Sequence, residues 1–274
     1  MILPSSVSAE AHAYITACLE TLARTEGVHI LFAIESGSRA WGFPSADSDY
    51  DVRFVYARRE ADYLSVVEHR DVIETPTVDD PVLGVPLDLN GWDVRKALRL
   101  GLKSNPILHE WLHSPIRYGE DAADVARMDA FVSEAVDRDV YLYHYDRLAR
   151  AAWTQMAGDT EVKVKRYCYA LRPALMLNWL RVRRDLPPMD VASLVGGLMP
   201  DEPIISTMAA LFAAKRDAGE HDLMPRSPAL DRLIADSLGD KPPRPEQKPL
   251  VAEKIAAADA LLVALFQRDL SWPN

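Results

Sequence analysis

Gly37-Ser38-Arg39-Ala40-Trp41-Gly42 and, a short spacer later, Ser48-Asp49-Tyr50-Asp51-Val52 read together as a tight Gly-Ser turn opening a short helix, then a strand bearing two carboxylates. Upstream, His29-Ile30-Leu31-Phe32-Ala33-Ile34-Glu35 is an almost unbroken apolar run that ends at the turn, the pattern of a buried strand. Successive strand residues point to opposite faces, so Asp49 and Asp51 are expected on one face with Tyr50 between them. Paired carboxylates repel and cost stability unless a cation lies between them. Oxygen ligands of this kind suit Mg²⁺, which shares its shell with substrate phosphates. Gly37 and Ser38 add small side chains and backbone N–H groups, a natural phosphate cradle. These residues together predict a metal-dependent nucleotidyl-transfer site. Asp47-Ser48-Asp49 has the same spacing, but Asp47 follows Pro44-Ser45 in the turn and is assigned to local backbone bonding.

A third carboxylate on another strand would complete such a site, and Val85-Pro86-Leu87-Asp88-Leu89-Asn90 supplies Asp88 between two leucines. Gly-Ser, a spacer, Asp-x-Asp on a strand and a later acidic strand residue resemble the signature of the DNA polymerase beta superfamily of nucleotidyltransferases. The 11 positions from Ser38 to Asp49 lie in that superfamily's usual range. The fuller wording Gly-Ser-Arg-Ala-Trp-Gly, Ser-Asp-Tyr-Asp-Val-Arg, Asp-Leu-Asn-Gly-Trp-Asp-Val-Arg-Lys-Ala-Leu and Lys-Ser-Asn-Pro is similar to the RNA-repair-pathway DNA polymerase beta family. The likeness runs from about Ile30 to Tyr118 and more loosely to about Trp179. It implies an α+β fold: an N-terminal mixed sheet with flanking helices, then an all-helical C-terminal region. It further implies that Asp49 and Asp51 hold the ions that bind the triphosphate. Asp88 would complete the shell of the ion that activates the acceptor hydroxyl, with Gly37 and Ser38 on the β- and γ-phosphates. Two Mg²⁺ ions are implied, with Mn²⁺ as a substitute, and an NTP as substrate.

Helical spacing runs from Ser8, a plausible N-cap, to a stop at Gly27. Strands are expected at Tyr50–Tyr56, Asp71–Thr75 and Val85–Leu89, with Asp93 capping a helix to about Lys103 and Pro106 opening another. Strand signals stop at about Asp121. Helical stretches follow at Asp121–Val136, Arg138–Met156, Val162–Arg183, Ile204–Arg216 and Lys248–Phe266, broken by Pro187-Pro188 and by Pro242-Pro243-Arg244-Pro245. The expected organisation is a catalytic domain over residues 1–120 and a helical substrate- and nucleotide-binding domain over 121–274, with the nucleotide at their junction.

From Glu161 to Asp185 seven Lys and Arg residues stand against only those two acids, a candidate basic cleft. Lys165 and Arg172 are seven residues apart and Tyr169 and Arg172 three apart, so both pairs share a helix face. In related nucleotidyltransferases a basic residue of the helical region grips the triphosphate and an aromatic stacks on the base. Lys163, Lys165, Tyr169 and Arg172 are the candidates here, with a solvated amphipathic edge as the alternative. Arg39 is open between a phosphate contact and a surface ion pair. Trp41, Trp92 and Trp111 are assigned to core, and His109, His113 and His144 to ordinary packing or surface.

The 274 residues suffice for a sizeable core, and 49% hydrophobic with 26% charged residues is ordinary for a globular protein. No apolar run approaches bilayer-spanning length and no signal peptide opens the chain, so a soluble cytoplasmic protein is expected. Cys18 and Cys168 lie far apart and read as buried free thiols of a reducing compartment. No Cys/His cluster has zinc-ligand spacing, which excludes a zinc site at this level. A net charge of −10 argues against broad wrapping of nucleic acid but leaves room for a local basic contact. The expected activity is therefore transfer of a nucleoside monophosphate from an NTP to a hydroxyl, with an RNA end as the acceptor implied by the resemblance. The alternatives are a small-molecule or protein acceptor, as in antibiotic-modifying and toxin–antitoxin relatives, and a silent nucleotide-binding module. The sequence leaves the oligomeric state open.

Overall fold

Ser8 caps α1 (Ala9–Glu26) by accepting the Ala11 N–H, and Gly27 ends it. In this computed structural model, which describes residues 7–217, 222–246 and 249–267, β1 (His29–Glu35) occupies the bounds its apolar run predicts. Next come α2 (Gly37–Trp41), β2 (Tyr50–Ala57), α3 (Glu60–Tyr63), β3 (Val72–Glu74), β4 (Val78–Asp79) and β5 (Pro86–Asp93). Asp93 caps α4 (Val94–Leu102) and Asn105 caps α5 (Pro106–Leu112), each through a side-chain oxygen. β6 (Arg117–Glu120) and α6 (Ala122–Ala135) complete this stretch. The later elements are α7 (Arg138–Thr154), β7 (Glu161–Lys163), α8 (Val164–Val182), α9 (Val191–Leu198), α10 (Glu202–Asp217), β8 (Leu223–Pro225), α11 (Pro228–Leu238) and α12 (Ala252–Phe266). No helix of the described residues is long and apolar enough to cross a membrane.

Contacts divide the chain into two compact units. The sheet unit takes described residues 7–39, 49–136 and 249–267, so α6 and α12 belong with the sheet. Its sheet is mixed, in the order β3-β5-β2-β1-β6 with β4 also on β5. β2 and β5 pair in parallel with Asp51 opposite Asp88, while the other pairings are antiparallel. Period-two alternation sends Tyr50, Val52, Phe54 and Tyr56 to the face packed by α1, together with Leu87 and Leu89. Val55 and Ala57 pack on the opposite face with α4, α5, α6 and α12. Asp51 and Arg53 share that second face by register. Exposure rises along it from none at Val55 to 31% for the Asp51 side chain.

The helical unit takes described residues 40–48, 137–217 and 222–246. α8 is its axis, with Tyr167, Cys168, Leu171, Leu175 and Leu177 fully buried and α7, α9, α10 and α11 packed around it. Helix ends are closed by arginines. Arg138 donates to the carbonyls of Leu180 and Arg183, and Arg150 to those of Leu238 and Gly239. Arg181 donates to Ser237 and Leu238. Part of the basic stretch that suggested a cleft is thus consumed as helix caps.

The C-terminal region is helical apart from β7 and β8, which form a two-stranded antiparallel sheet where no strand was expected. β4, β6, β7 and β8 escape sequence reading because each is two to four residues long and lacks an apolar alternation. α3, α9 and α11 were likewise unexpected, being short or bounded by prolines. The start of the last expected helix, Lys248, lies outside the described residues.

Phe54 opposes Gly91 across the parallel pair, and a Cβ on Gly91 would meet the Phe54 ring at 2.0 Å. Gly91→Ala is therefore expected to destabilise the fold by about 1–3 kcal/mol through overpacking, read as a lowered urea midpoint. An unchanged midpoint would show that Phe54 swings aside at no cost.

Candidate active site

The parallel register of β2 and β5 sets Asp51 and Asp88 side by side. The cation that such a pair requires is supplied by the chain itself. Arg53, two residues along the same face of β2, donates through Nη2 to Asp51 Oδ1 at 3.1 Å and to Asp88 Oδ2 at 2.8 Å. Its Nη1 donates to the carbonyls of Val52 and Asp88. The side chains of Arg53, Asp51 and Asp88 keep 19%, 31% and 23% of their exposure, so the charges are partly withdrawn from water.

The Gly-Ser turn closes directly onto Asp51. Gly37 has φ +58°, and a Cβ there would lie 1.9 Å from Asp51 Oδ2. Only glycine allows both the backbone angle and the approach. The all-oxygen donor set and a turn that admits no side chain fit a hard divalent ion, for which the Arg53 guanidinium would be a competitor at the same oxygens. Ser38 is buried beside this turn. Asp49 lies one residue before β2 rather than inside it, and it is exposed. Arg39 Nε donates to the Asp49 carbonyl at 3.0 Å, and its guanidinium sits 3.9 Å over the Tyr50 ring. Arg39 is itself buried, and these two contacts brace the start of β2.

Beneath Asp51 lies a carboxylate that the sequence did not single out. Glu35, the last residue of β1, is completely buried. Its Oε1 accepts the Asp51 N–H at 2.9 Å and its Oε2 accepts the Tyr118 hydroxyl. Ser114 donates to its backbone carbonyl at 2.6 Å. Burial pushes the Glu35 carboxyl up to about 7, against the lowering pull of those two hydrogen bonds to its side chain. The available signal was an acid ending an otherwise apolar strand. Tyr118 comes from β6, a strand with no sequence signature of its own.

In the helical unit, residues 40–48 are gripped by α8 and α10. Phe43 stacks on Phe212 with centroids 5.6 Å apart. Arg172 is buried, donates to the Met189 carbonyl at 3.0 Å and lies 4.4 Å over the Trp41 ring. Tyr169 meets Trp41 edge-on at 5.4 Å and remains 39% exposed. Lys163 is the N-cap of α8 and Lys165 lies in its first turn. Lys215, absent from the sequence-based candidates, is buried and donates to Ser45 Oγ. Asp47 is held below the usual carboxylate range, first by the Ser45 hydroxyl and also by Lys215 and Lys165, in keeping with a turn role. Trp92 and Trp111 pack together in the sheet unit's core.

Compared with known proteins, the chain matches the model of the RNA repair pathway DNA polymerase beta family over residues 11–264. It is 41% identical over 216 residues to the uncharacterized protein YcgL of Bacillus subtilis (strain 168), covering 79% of this chain and 81% of that one. Among solved structures it is similar to a nucleotidyltransferase-like protein from Exiguobacterium sibiricum, over 95% of this chain and 81% of that one. At 12% identity and a TM-score of 0.30 that likeness is too loose to carry an argument.

The elevated Glu35 carboxyl gives a signed pH effect. The folded chain keeps a proton that the unfolded chain releases, so this group's stabilisation is present at low pH and lost as pH rises from about 4.5 through about 7. Glu35→Gln should flatten that slope in denaturation midpoints measured across the same range. Identical slopes in the two proteins would mean that Glu35 does not titrate as a buried acid.

Proposed function

The chain belongs to the RNA repair pathway DNA polymerase beta family, and from that membership we propose that it transfers a nucleoside monophosphate from an NTP to a hydroxyl acceptor, releasing pyrophosphate. The observation that carries the reading is the side-by-side placement of Asp51 and Asp88 against the Gly37 turn. Asp49, Asp51 and Asp88 would hold one or two divalent ions, Mg²⁺ or Mn²⁺. When bound, such ions neutralise the triphosphate and lower the pKa of the attacking hydroxyl.

The chain's own residues do the positioning on which nucleotidyl transfer depends. Glu35 fixes the Asp51 backbone from below, and Arg39 fixes that of Asp49 from the side. The Ser38 hydroxyl and the N–H groups of the turn are assigned to the β- and γ-phosphates. Arg53 satisfies Asp51 and Asp88 in this structure and would have to release their oxygens to a bound divalent ion. Lys163, Lys165 and Tyr169 are proposed to contact the nucleotide. Arg172, spent on Trp41 and Met189, is proposed to act by holding the spacer in place.

An RNA end is the proposed acceptor, on the strength of the family's description. The net charge of −10 favours a local contact over extended wrapping. A cytoplasmic setting is proposed with it, since Cys18 and Cys168 are both free thiols.

The test supplies purified protein, Mg²⁺ and each α-labelled NTP to RNA, protein and small-molecule fractions of a cell extract. Label on RNA is expected; label on protein or a metabolite would reassign the acceptor, and no label anywhere would favour a silent module. Asp51→Asn and Asp88→Asn should each lower transfer by about a hundredfold or more with the fold retained by circular dichroism. Near-normal transfer in either would break the site assignment. Lys165→Ala should raise the NTP concentration needed for half-maximal rate with little change in the maximal rate, and an unchanged requirement would remove Lys165 from the site.

A further inference from the structure

Away from the aspartates, α5 and α6 bring two histidines and a carboxylate together. His109 and His113 are one helical turn apart, and their ring centroids lie 4.2 Å from each other. Asp129 projects from α6, which packs on α5. One ligand atom from each of His109, His113 and Asp129 lies within 4.8 Å of the other two. From sequence alone both histidines are assigned to packing or surface and zinc is excluded, yet His109-Glu110-Trp111-Leu112-His113 carries the i,i+4 histidine spacing of a zinc-binding helix. The third ligand stands on a different helix, so only the packing of α5 on α6 reveals the set.

The hydrogen-bond chemistry asks for a cation. His113 Nδ1 lies 3.0 Å from the His109 backbone carbonyl. A carbonyl only accepts, so Nδ1 carries the proton, and in the neutral ring Nε2 presents a lone pair. That Nε2 faces Asp129 Oδ1 at 3.5 Å. The oxygen is buried and accepts no hydrogen bond among the described residues. Two opposed lone pairs repel, and a buried carboxylate oxygen without a donor calls for an explanation. Donors about 2.0–2.1 Å from a tetrahedral zinc ion stand about 3.4 Å apart, close to the separation found. The Nδ1–H···O=C bond behind the ring is the buttress that metal-bound imidazoles use.

We propose that His109, His113 and Asp129 form a Zn²⁺ site that ties α5 to α6, with the fourth position left to water. His113 is exposed and gives the ion a route from solvent, while buried His109 closes the inner side. Imidazole with a carboxylate favours zinc-class ions, whereas the all-oxygen set at Asp51 and Asp88 favours Mg²⁺. The two sites therefore take different metals.

The test titrates the full chain, stripped of metal by a chelator, with Zn²⁺ against a chromophoric competitor. One ion per chain is expected, with affinity reduced by about tenfold or more in His113→Ala and in Asp129→Asn and unchanged in Asp51→Asn. Co²⁺ should give a tetrahedral visible absorption that His113→Ala abolishes. Circular dichroism of both ligand variants checks that each is folded. No saturable zinc binding, or binding unaffected by either substitution, would overturn the site and leave the contact as a protonated histidine paired with Asp129.

Discussion

The parallel pairing of β2 with β5 is the constraint around which the sheet unit is organised. In this register Asp51 and Asp88 must stand abreast, and unit charges about 5 Å apart, the strand spacing, repel by about 3 kcal/mol in a half-buried setting. Arg53 offsets that repulsion from within the same strand, two residues along and on the same face. The pair is thus tolerated in the folded chain. The guanidinium is held by the backbone carbonyls of Val52 and Asp88 as well as by the two carboxylates.

Support for that pair comes from below. The end of β1 places a fully buried Glu35 where its side chain bonds the Asp51 backbone, and the edge strand β6 supplies the Tyr118 hydroxyl that satisfies its other oxygen. A buried acid costs stability unless its oxygens are satisfied. Glu35 meets this demand with two donors and a carboxyl pushed toward neutrality. Rigidity at Asp51 is obtained at the expense of a titratable group in the core.

The helical unit treats charge differently. Its arginines close helix ends, and its interior polar contacts hold residues 40–48 by stacking Phe43 on Phe212, laying Arg172 over Trp41 and joining Lys215 to Ser45. The spacer between the Gly-Ser turn and the aspartates is therefore a built part of that unit. The residues on either side of it, 7–39 and 49–136, belong to the sheet unit.

Much of this protein is written locally. β1, the caps of α1, α4 and α5, the Gly-Ser turn and the strand placement of Asp51 and Asp88 follow from apolar runs, capping residues and period-two alternation, all properties of neighbouring residues. The family was legible for the same reason, since its motifs are short and contiguous. Arg53, Glu35 with Tyr118, Lys215 with Ser45, and His109 and His113 with Asp129 were not, because each depends on residues brought together by packing. Nor could charge counting tell which arginines would cap helices and which would face substrate. Sequence by itself determined β1, β2, β5 and the strand placement of Asp51 and Asp88. Tertiary structure alone decided which charges neutralise them, because a charge is satisfied by whatever lies within a few ångströms, and distance in space is not encoded by distance along the chain.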